Sequence, residues 1–383
     1  MKQPDALRIP FNRPTRVGSE LASIGEVIAG NHWAGSGTFS ARCELALVGV
    51  TASKAAFLTT SCTDALEMSA LLLDIKPGDE VICPSFTFVS TLNAFVLRGA
   101  KPIFADVRAD TMNLDERQLP SLIGPATKAV VAVHYAGVGC AMDEILAICR
   151  QRGVAVVEDN AHGLFGSYKE RPLGSFGAMA AQSFHETKNI TCGEGGALIV
   201  NDEQYIPRAD IIREKGTDRS RFARGEIDKY TWRDVGSSFL PSEVLAAVLW
   251  VQLQESDSIQ GRRSRIWDAY YESLLDWSHQ TGFRLPVVPL ECQQAYHMFY
   301  MLCPTPESRD RFIRHLASAS ILAVSHYVPL NTSPFGLNLG GEIGMCPVTE
   351  DVSGRLVRLP IYTNMTEEDM AAVIAAVMSF TEV

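Results

Sequence analysis

Short apolar runs alternate with helical segments through residues 55–200 of the chain. The runs are rich in Val, Ile and Ala and have few polar interruptions, which is typical of strands buried on both faces of a parallel sheet. The pattern therefore predicts an α/β fold with a mainly parallel sheet. We place its strands at 55–59, 80–84, 102–106, 129–133, 154–158, 178–184 and 197–200, and its main helices at 42–48, 65–73, 91–98 and 142–152.

The pattern changes on both sides of this region. Before it, Leu21, Ile24 and Ile28 recur at helical spacing and predict an amphipathic helix that ends at Gly30. After residue 240 long helices dominate and strands become few, which predicts a smaller α+β unit at the C-terminal end. We place the later helices at 241–254, 258–276, 308–318 and 367–379, and the later strands at 296–302 and 324–327.

These changes divide the chain into three parts. We expect an irregular N-terminal arm at 1–14, a large domain at 15–250 and a small C-terminal domain at 251–383. The segment 329–347 is rich in Gly, Asn and Pro and has little apolar periodicity. It is either a flap over a substrate or a surface excursion.

Composition and charge exclude several function classes. The chain has 34 basic and 44 acidic residues, a formal net charge of −10, so a nucleic-acid or anionic membrane surface is not expected. No apolar run reaches the length of a membrane span, and no secretory core precedes the first helix. The nine cysteines include no C-x-x-C pair and read as buried thiols. We expect a cytoplasmic protein and no metal site.

Polar residues follow the predicted parallel strands at the point where each strand ends. In such sheets ligands bind at the carboxyl ends of the strands. Asp159 closes the apolar run VAVVED, where a carboxylate is costly to desolvate unless it meets a cation or several donors. The rule also selects Ser85 to Phe88, His134 with Tyr135, and His162. An aspartate that only caps the next loop is the structural alternative.

Two further stretches carry candidate chemistry. The first strand runs into Thr60-Ser61-Cys62-Thr63-Asp64, where a helix begins, so free amides and the positive end of the helix dipole would suit a phosphate. A plain helix cap is the alternative. Lys188, in SFHETKNITCGEGG, stands between two strand-like runs. An amine held there in a partly desolvated pocket can form a Schiff base, although a surface lysine in a hairpin turn fits the stretch as well.

A Schiff-base lysine, a phosphate-binding helix start and a carboxylate for a ring nitrogen are together what pyridoxal phosphate requires. The chain also resembles the DegT/DnrJ/EryC1/StrS sugar-nucleotide aminotransferases over nearly its whole length. This resemblance implies fold type I, with a mainly parallel sheet of seven strands and a small α+β domain. It is carried by the runs PGDEVICPSFTFVSTLNAFVLRGAKPIFADV, VVEDNAHG, SFHETKN with GEGG, and HMFY.

The resemblance implies roles for individual residues. Lys188 would be the Schiff-base lysine and Asp159 the partner of the pyridine nitrogen. Phe88 would stack on the ring, and His162 falls where relatives carry a glutamine that contacts the phenolic oxygen. The remaining cofactor contacts would come from Cys62, Thr63, Ser183 and, in a homodimer with shared sites, Ser238 of the partner subunit, where relatives commonly have asparagine.

Substrate contacts are less defined in the sequence. Basic residues in REKGTDRSRF could hold a diphosphate, although a solvated basic loop fits equally well. Asn331 stands where many relatives have histidine, which leaves open how the small domain touches the substrate. The candidate substrate residues are Arg213, Lys215, Arg219 and Tyr327.

The implied reaction has two halves. L-Glutamate would convert pyridoxal phosphate to pyridoxamine phosphate, which would then aminate a nucleotide-linked 4-keto-6-deoxyhexose. A GDP-linked substrate, the 4-epimer and a 3-keto sugar stay open within this class. A sugar-nucleotide dehydratase is a rival, but those relatives replace the lysine by histidine and Lys188 is present. A non-catalytic protein on this fold is the other rival.

Overall fold

The computed structural model of the protein describes residues 8–381. Its strands confirm the predicted alternation, and several bounds coincide with those predicted from the sequence. The strands are β1 (Ala55–Thr59), β2 (Glu80–Pro84), β3 (Lys101–Ala105), β4 (Thr127–Val133), β5 (Ala155–Asp159), β6 (Ser167–Tyr168), β7 (Arg171–Pro172), β8 (Met179–Ser183), β9 (Gly196–Val200), β10 (Cys292–Gln293), β11 (Phe299–Leu302) and β12 (Leu356–Leu359).

Helices surround and connect these strands. Several begin at a hydroxyl residue whose side chain accepts a hydrogen bond from an amide of the first turn, as at Ser61, Ser242 and Thr366. The helices are α1 (Glu20–Ala29), α2 (Thr38–Thr51), α3 (Cys62–Leu72), α4 (Ser90–Val96), α5 (Leu119–Leu122), α6 (Met142–Arg152), α7 (Ile206–Arg213), α8 (Arg219–Ala223), α9 (Glu243–Gln254), α10 (Ser256–Thr281), α11 (Pro306–Ser318), α12 (Pro334–Asn338), α13 (Pro347–Arg355) and α14 (Glu367–Met378).

The large sheet has seven strands in the order β1-β9-β8-β5-β4-β2-β3. Every neighbouring pair is parallel except those that include β9, which runs antiparallel to both β8 and β1. The mainly parallel α/β prediction is therefore confirmed. Because β9 runs the opposite way, its first residue, Gly196, lies beside the last residues of β1 and β8, Thr59 and Ser183.

The small C-terminal part packs its own apolar core around α10, α11, α14 and the antiparallel pair β11–β12. The predicted strand at 324–327 is wrong, because Val324 forms only an isolated bridge to Arg358 and no ladder continues from it. The N-terminal arm belongs to this core as well. Ile9 is buried there and exchanges backbone hydrogen bonds with Ser320 and Leu322.

Two buried polar contacts fix the small part to the edge of the large sheet. Asp106, directly after β3, accepts hydrogen bonds from the amides of Val348 and Thr349 in the first turn of α13, at 2.9 and 2.7 Å. Asn331 accepts a bond of 2.6 Å from Ser85 Oγ, directly after β2. These contacts bring the small domain over the carboxyl ends of the strands.

Helix α1 forms where it was predicted, but its buried side is not the predicted apolar side. Ser23 and Val27 face the protein, whereas Leu21 and Ile28 are 84% and 52% exposed. Among residues 8–381, none of the helices combines the length and the hydrophobicity that a bilayer crossing requires.

Candidate active site

A cavity of about 660 Å³ lies where the strands of the large sheet end and the small domain begins. It brings together residues that are far apart in the sequence, as the rule for parallel sheets predicts. Its lining includes eight of the predicted site residues: Cys62, Thr63, Phe88, Asp159, His162, Ser183, Lys188 and Tyr327.

Lys188 is partly buried in the wall of this cavity, in the turn that links β8 and β9. The pKa of its amine is lowered to about 8, mainly by burial; Cys62 and Asp159 oppose this shift, and the positive charge of Arg358 adds to it. A neutral amine is the nucleophile and the base, so this environment makes Lys188 far more reactive near neutral pH than a solvated lysine.

Asp159, at the end of β5, is 6% exposed and has a defined orientation. Its Oδ1 accepts a hydrogen bond from the Ala161 amide at 3.1 Å, and its Oδ2 accepts one from Thr91 Oγ1 at 2.6 Å. Among the described residues, no lysine or arginine forms an ion pair with it. A buried carboxylate with two neutral donors and no cation favours a ligand that carries a positive hydrogen-bond donor.

Four histidines line the same cavity, His162, His185, His297 and His326, and three of them form a cluster. His162 stacks on His297 with ring centroids 4.3 Å apart, and His326 lies beside them. Burial lowers the pKa of each of the three well below its usual value, so all three are neutral near pH 7. The Nδ1 atom of His162 is buried and has no hydrogen-bond partner in the part of the chain that the structure describes. It is therefore available to a ligand's polar atom.

The start of α3 also lines the cavity, through Ser61, Cys62 and Thr63. Ser61 caps the helix, and Thr63 Oγ1 donates to Ser90 Oγ at 2.9 Å. The first amides of a helix have no partner within it and point out of its end, which suits an anion. Gly196 allows β9 to approach this turn, because a Cβ at that position would lie 2.3 Å from the carbonyl carbon of Ser61.

Two aromatic side chains complete the walls. The ring of Phe88 is 57% exposed although it borders the cavity, and its centroid lies 6.4 Å from that of Tyr327. An aromatic face left open beside Asp159 and Lys188 is suited to a flat ring ligand.

The predicted diphosphate contacts do not lie in this cavity. Arg213 is 6% exposed, and its guanidinium pairs with Glu44 and Asp210 and covers the ring of Phe57. These contacts hold the guanidinium inside the protein and outside the cavity, and its contact with a diphosphate stays a prediction.

Lys215 and Arg219 also lie outside the cavity lining. Both pair with the buried Glu214, at 3.1 and 3.0 Å, with their side chains about half exposed. Ser238 is exposed and does not line the cavity of its own chain either.

Asn331, which stands where many relatives have histidine, does not line the cavity. Besides Ser85, it binds Glu342 O and Glu350 Oε1, both at 2.8 Å, through its Nδ2. Its side chain is thus fully used in holding the segment 329–347, which contains a short turn and α12.

His134 is buried and structural. Its Nε2 lies 2.8 Å from Glu158 Oε2, and Glu158 also accepts bonds from the amides of Gly174, Phe176 and Gly177. Burial alone would lower the pKa of His134, but its contacts with Cys140 and Glu158 outweigh burial and raise it to about 10. Because Glu158 belongs to β5, this network fixes the strand that ends in Asp159.

Sequence reasoning missed two cavity residues, His297 and Arg358, and also Thr91, which is buried behind the cavity wall and binds Asp159. A hydroxyl near a helix start is ordinary, so nothing in the sequence marked Thr91 as the partner of Asp159. Arg358 did leave a signal, since it interrupts the apolar run LVRLPIY in a segment that folds as β12.

The whole chain matches one family. The model of the DegT/DnrJ/EryC1/StrS aminotransferase family matches residues 15–378. The chain belongs to this family. It is 32% identical, over 96% of both chains, to an uncharacterised protein of Methanocaldococcus jannaschii.

Solved structures extend the comparison. The aminotransferase TlmJ from Streptoalloteichus hindustanus is 29% identical, with a TM-score of 0.88 and coverage of 97% of this chain and 98% of that chain. Spr1654 from Streptococcus pneumoniae, solved in its PMP form, is 25% identical with a TM-score of 0.91 over 97% and 98% of the two chains. The protein is accordingly a pyridoxal-phosphate-dependent aminotransferase.

The cavity has the groups that this cofactor needs. An amine with a lowered pKa, a carboxylate without a cation, a helix start and an uncovered aromatic face lie around one space. The partnerless Nδ1 of His162 offers one further polar contact. Lys188, Asp159, Phe88, His162 and the start of α3 therefore fit pyridoxal phosphate.

Proposed function

We propose that the protein transfers the amino group of L-glutamate to C4 of dTDP-4-keto-6-deoxy-D-glucose, which gives dTDP-4-amino-4,6-dideoxygalactose for a cell-surface polysaccharide. The observation that carries the aminotransferase chemistry is that two groups line the same cavity. One is the amine of Lys188, whose pKa is lowered, and the other is the carboxylate of Asp159, which forms no ion pair among the described residues. The substrate is supported by the resemblance of the runs SCT, ALEMSALLLDI, FHETKN, REKGT and DKYTWRD to the transaminase that makes this sugar.

Pyridoxal phosphate, when bound, supplies a ring that accepts electrons as a proton leaves the reacting carbon. Asp159 would hold the proton on the ring nitrogen through a charge-assisted hydrogen bond, and Thr91 and Ala161 fix the direction of that carboxylate. Lys188 would be the covalent attachment point and, once released, the base. With a pKa of about 8, its amine can take a proton from carbon and return it near neutral pH.

The remaining residues would position the substrates and exclude water. Cys62, Thr63 and Ser183 would hold the phosphate at the start of α3, and burial raises the pKa of the Cys62 thiol, so it adds no negative charge there. Phe88 and Tyr327 would close the cavity from two sides.

We also propose a homodimer with shared active sites. Ser238 is exposed and outside the cavity of its own chain, as expected for a residue that completes the phosphate site of the partner subunit. A group of large apolar side chains is exposed in the N-terminal part, as expected for a surface that a second copy covers: Leu21, Ile28, Trp33 and Leu45.

The test follows the absorbance of the bound cofactor through both halves of the reaction. L-Glutamate should bleach the band of the lysine-bound form, and dTDP-4-keto-6-deoxyglucose should then restore it. If glutamate bleaches the band and this sugar does not restore it, the proposed substrate is wrong. The GDP-linked and 3-keto sugars are then tried in its place, and product analysis separates the 4-epimers.

A further inference from the structure

Arg358 is a charged residue inside an otherwise apolar strand. Its neighbours in β12, Val357 and Leu359, are completely buried in the small-domain core, and its own side chain turns to the other face and lines the cavity. Side chains alternate between the two faces of a strand, so the register of β12 fixes this direction.

The guanidinium of Arg358 has no anion beside it. Its Nε is buried without an acceptor, and among residues 8–381 no carboxylate forms an ion pair with it. Its Cζ lies 4.6 Å from the ring centroid of Phe11, and the hydroxyls of Tyr135 and Tyr327 are within its electrostatic reach. Arg358 as a whole is half-buried, but its Nε is fully buried, and a buried charged donor without a partner is destabilising.

Arg263 is a second arginine of the small domain, and its hydrogen-bond partners lie within the protein. It is 2% exposed, and its Nε and an NH2 group donate to Tyr296 O and His297 O at 3.0 and 2.6 Å. Arg358 lacks such carbonyl partners although it is close by in the same domain. The difference indicates that its partner is supplied from the cavity.

The surroundings of Arg358 also favour an anion. Its charge helps to lower the pKa of Lys188, His162 and His326, so it lies within electrostatic reach of the reacting amine and of the neutral histidines. Asp159 is the nearby carboxylate in the cavity, and its oxygens are bound by Thr91 and Ala161 instead.

We propose that Arg358 binds the α-carboxylate of the amino-acid donor, an inference that rests on the proposed aminotransferase function. In an amino acid this carboxylate is attached directly to the carbon that reacts at Lys188. The diphosphate of a sugar nucleotide is joined to the far side of the sugar ring from C4, several bonds from the reacting carbon. An anion held close to Lys188 is therefore the carboxylate, and a planar guanidinium can bind it through two parallel hydrogen bonds.

The experiment compares Arg358→Gln and Arg358→Lys with a matched control, Arg355→Gln. Arg355 lies three residues earlier, pairs with Asp351 and does not line the cavity. Calorimetry on the pyridoxal-phosphate form measures the affinity for 2-oxoglutarate, which keeps the α-carboxylate but has no amine to transfer, and separately the affinity for dTDP. We expect Arg358→Gln to weaken 2-oxoglutarate binding by about 10- to 100-fold and to leave dTDP binding unchanged. Arg358→Lys should restore part of the loss, and Arg355→Gln should bind both ligands normally.

Kinetics of the separate halves provide the second readout. In Arg358→Gln the half-reaction with L-glutamate should show a KM raised by a similar factor, whereas the half-reaction with the keto sugar should keep its KM. Loss of dTDP or keto-sugar binding with normal 2-oxoglutarate binding would assign Arg358 to the nucleotide and overturn the proposal, as would normal binding of both.

A comparison on the unmodified enzyme covers the case in which the variants do not fold. 4-Aminobutyrate is L-glutamate without the α-carboxylate and should bleach the cofactor band at least about 100-fold more slowly than L-glutamate. Equal rates would contradict the proposal. If the unmodified enzyme reacts with no amino acid at all, the proposed function fails instead, and the two failures are thus distinguishable.

Discussion

Thr91 Oγ1 donates a hydrogen bond of 2.6 Å to Asp159 Oδ2, which links the first turn of α4 to the end of β5. A hydroxyl has one proton, so the 2.8 Å contact between Thr91 and Thr87 must be donated by Thr87. Thr87, Thr91 and Asp159 therefore form a directed chain that ends at the carboxylate. Both threonines are buried, so solvent has little access to these two hydrogen bonds.

Replacing Thr91 by Val should weaken cofactor binding by about 10-fold, because Asp159 would lose one of its two orienting donors while the packing volume is kept. Thr91→Ser retains the hydroxyl and is the matched control. Titration of the cofactor-free protein with pyridoxal phosphate, followed by absorbance, measures the effect. Equal affinity in the Val variant and the unmodified protein would show that the bond does not orient Asp159.

Asp159→Ala should be far more damaging than Thr91→Val. Loss of the charge-assisted bond to the ring nitrogen should raise the barrier of the first half-reaction by about 2–4 kcal/mol. Single-turnover rates with L-glutamate at saturating cofactor measure this directly, and circular dichroism checks that the variant is folded. A rate within threefold of the unmodified protein would remove Asp159 from its role.

Lys188→Met should abolish both turnover and the absorbance band of the lysine-bound cofactor, because methionine fills the space without an amine. Multiple turnovers by this variant at an ordinary rate would rule out Lys188 as the attachment point. Lys169, which lies at the surface and pairs with Asp143, provides a control variant, Lys169→Met, that should keep the band.

The same residue predicts how stability depends on pH. The pKa of Lys188 is lowered to about 8 in the folded protein, against about 10.4 for a solvated lysine. Between these values the unfolded chain binds more protons than the folded one, so the free energy of unfolding rises with pH through this window. Urea unfolding of the cofactor-free protein from pH 7 to pH 10 should show the rise, and the Lys188→Met variant should lack its part of it. Identical pH slopes for the two proteins would exclude the lowered pKa.

Gly196→Ala should damage the phosphate end of the cavity. The added Cβ would lie 2.3–2.4 Å from backbone atoms of Ser61 and Cys62, so β9 or the start of α3 must move. We expect a loss of more than about 2 kcal/mol in stability, together with weaker pyridoxal phosphate binding. Gly49→Ala, in the exposed side of α2 with open space around it, is the control and should be neutral or stabilising. Normal thermal stability and cofactor affinity in Gly196→Ala would show that the helix start tolerates displacement.

The sequence predicted the sheet well because burial on both faces leaves an unmistakable pattern. β2 and α6 begin and end at the predicted residues, and β1 does too. Asp159 and Lys188 could be predicted for a related reason. Asp159 places a charge at the end of an apolar run, which is costly without a ligand or partner, and Lys188 stands in the turn between two strand-like runs.

Contacts between distant segments could not be predicted in this way. The burial of Arg213 is one example: Asp210, three residues earlier, is a local partner, but its nearer partner, Glu44, lies far away in the sequence. The apolar positions of α1 correctly predicted a helix, but the side that it buries depends on α9, which packs against Ser23 and Val27. Thr91 went unnoticed because only the fold brings its hydroxyl to Asp159.

The position of Ile9 also has a consequence for how the protein is made. Its backbone pairs with Ser320 and Leu322, so the first described residues of the chain complete a core that the last ones build. During synthesis the arm emerges about 310 residues before these partners and stays unpaired until they have been made. The large sheet can form during that interval, whereas the pairing of the arm with the small-domain core comes later.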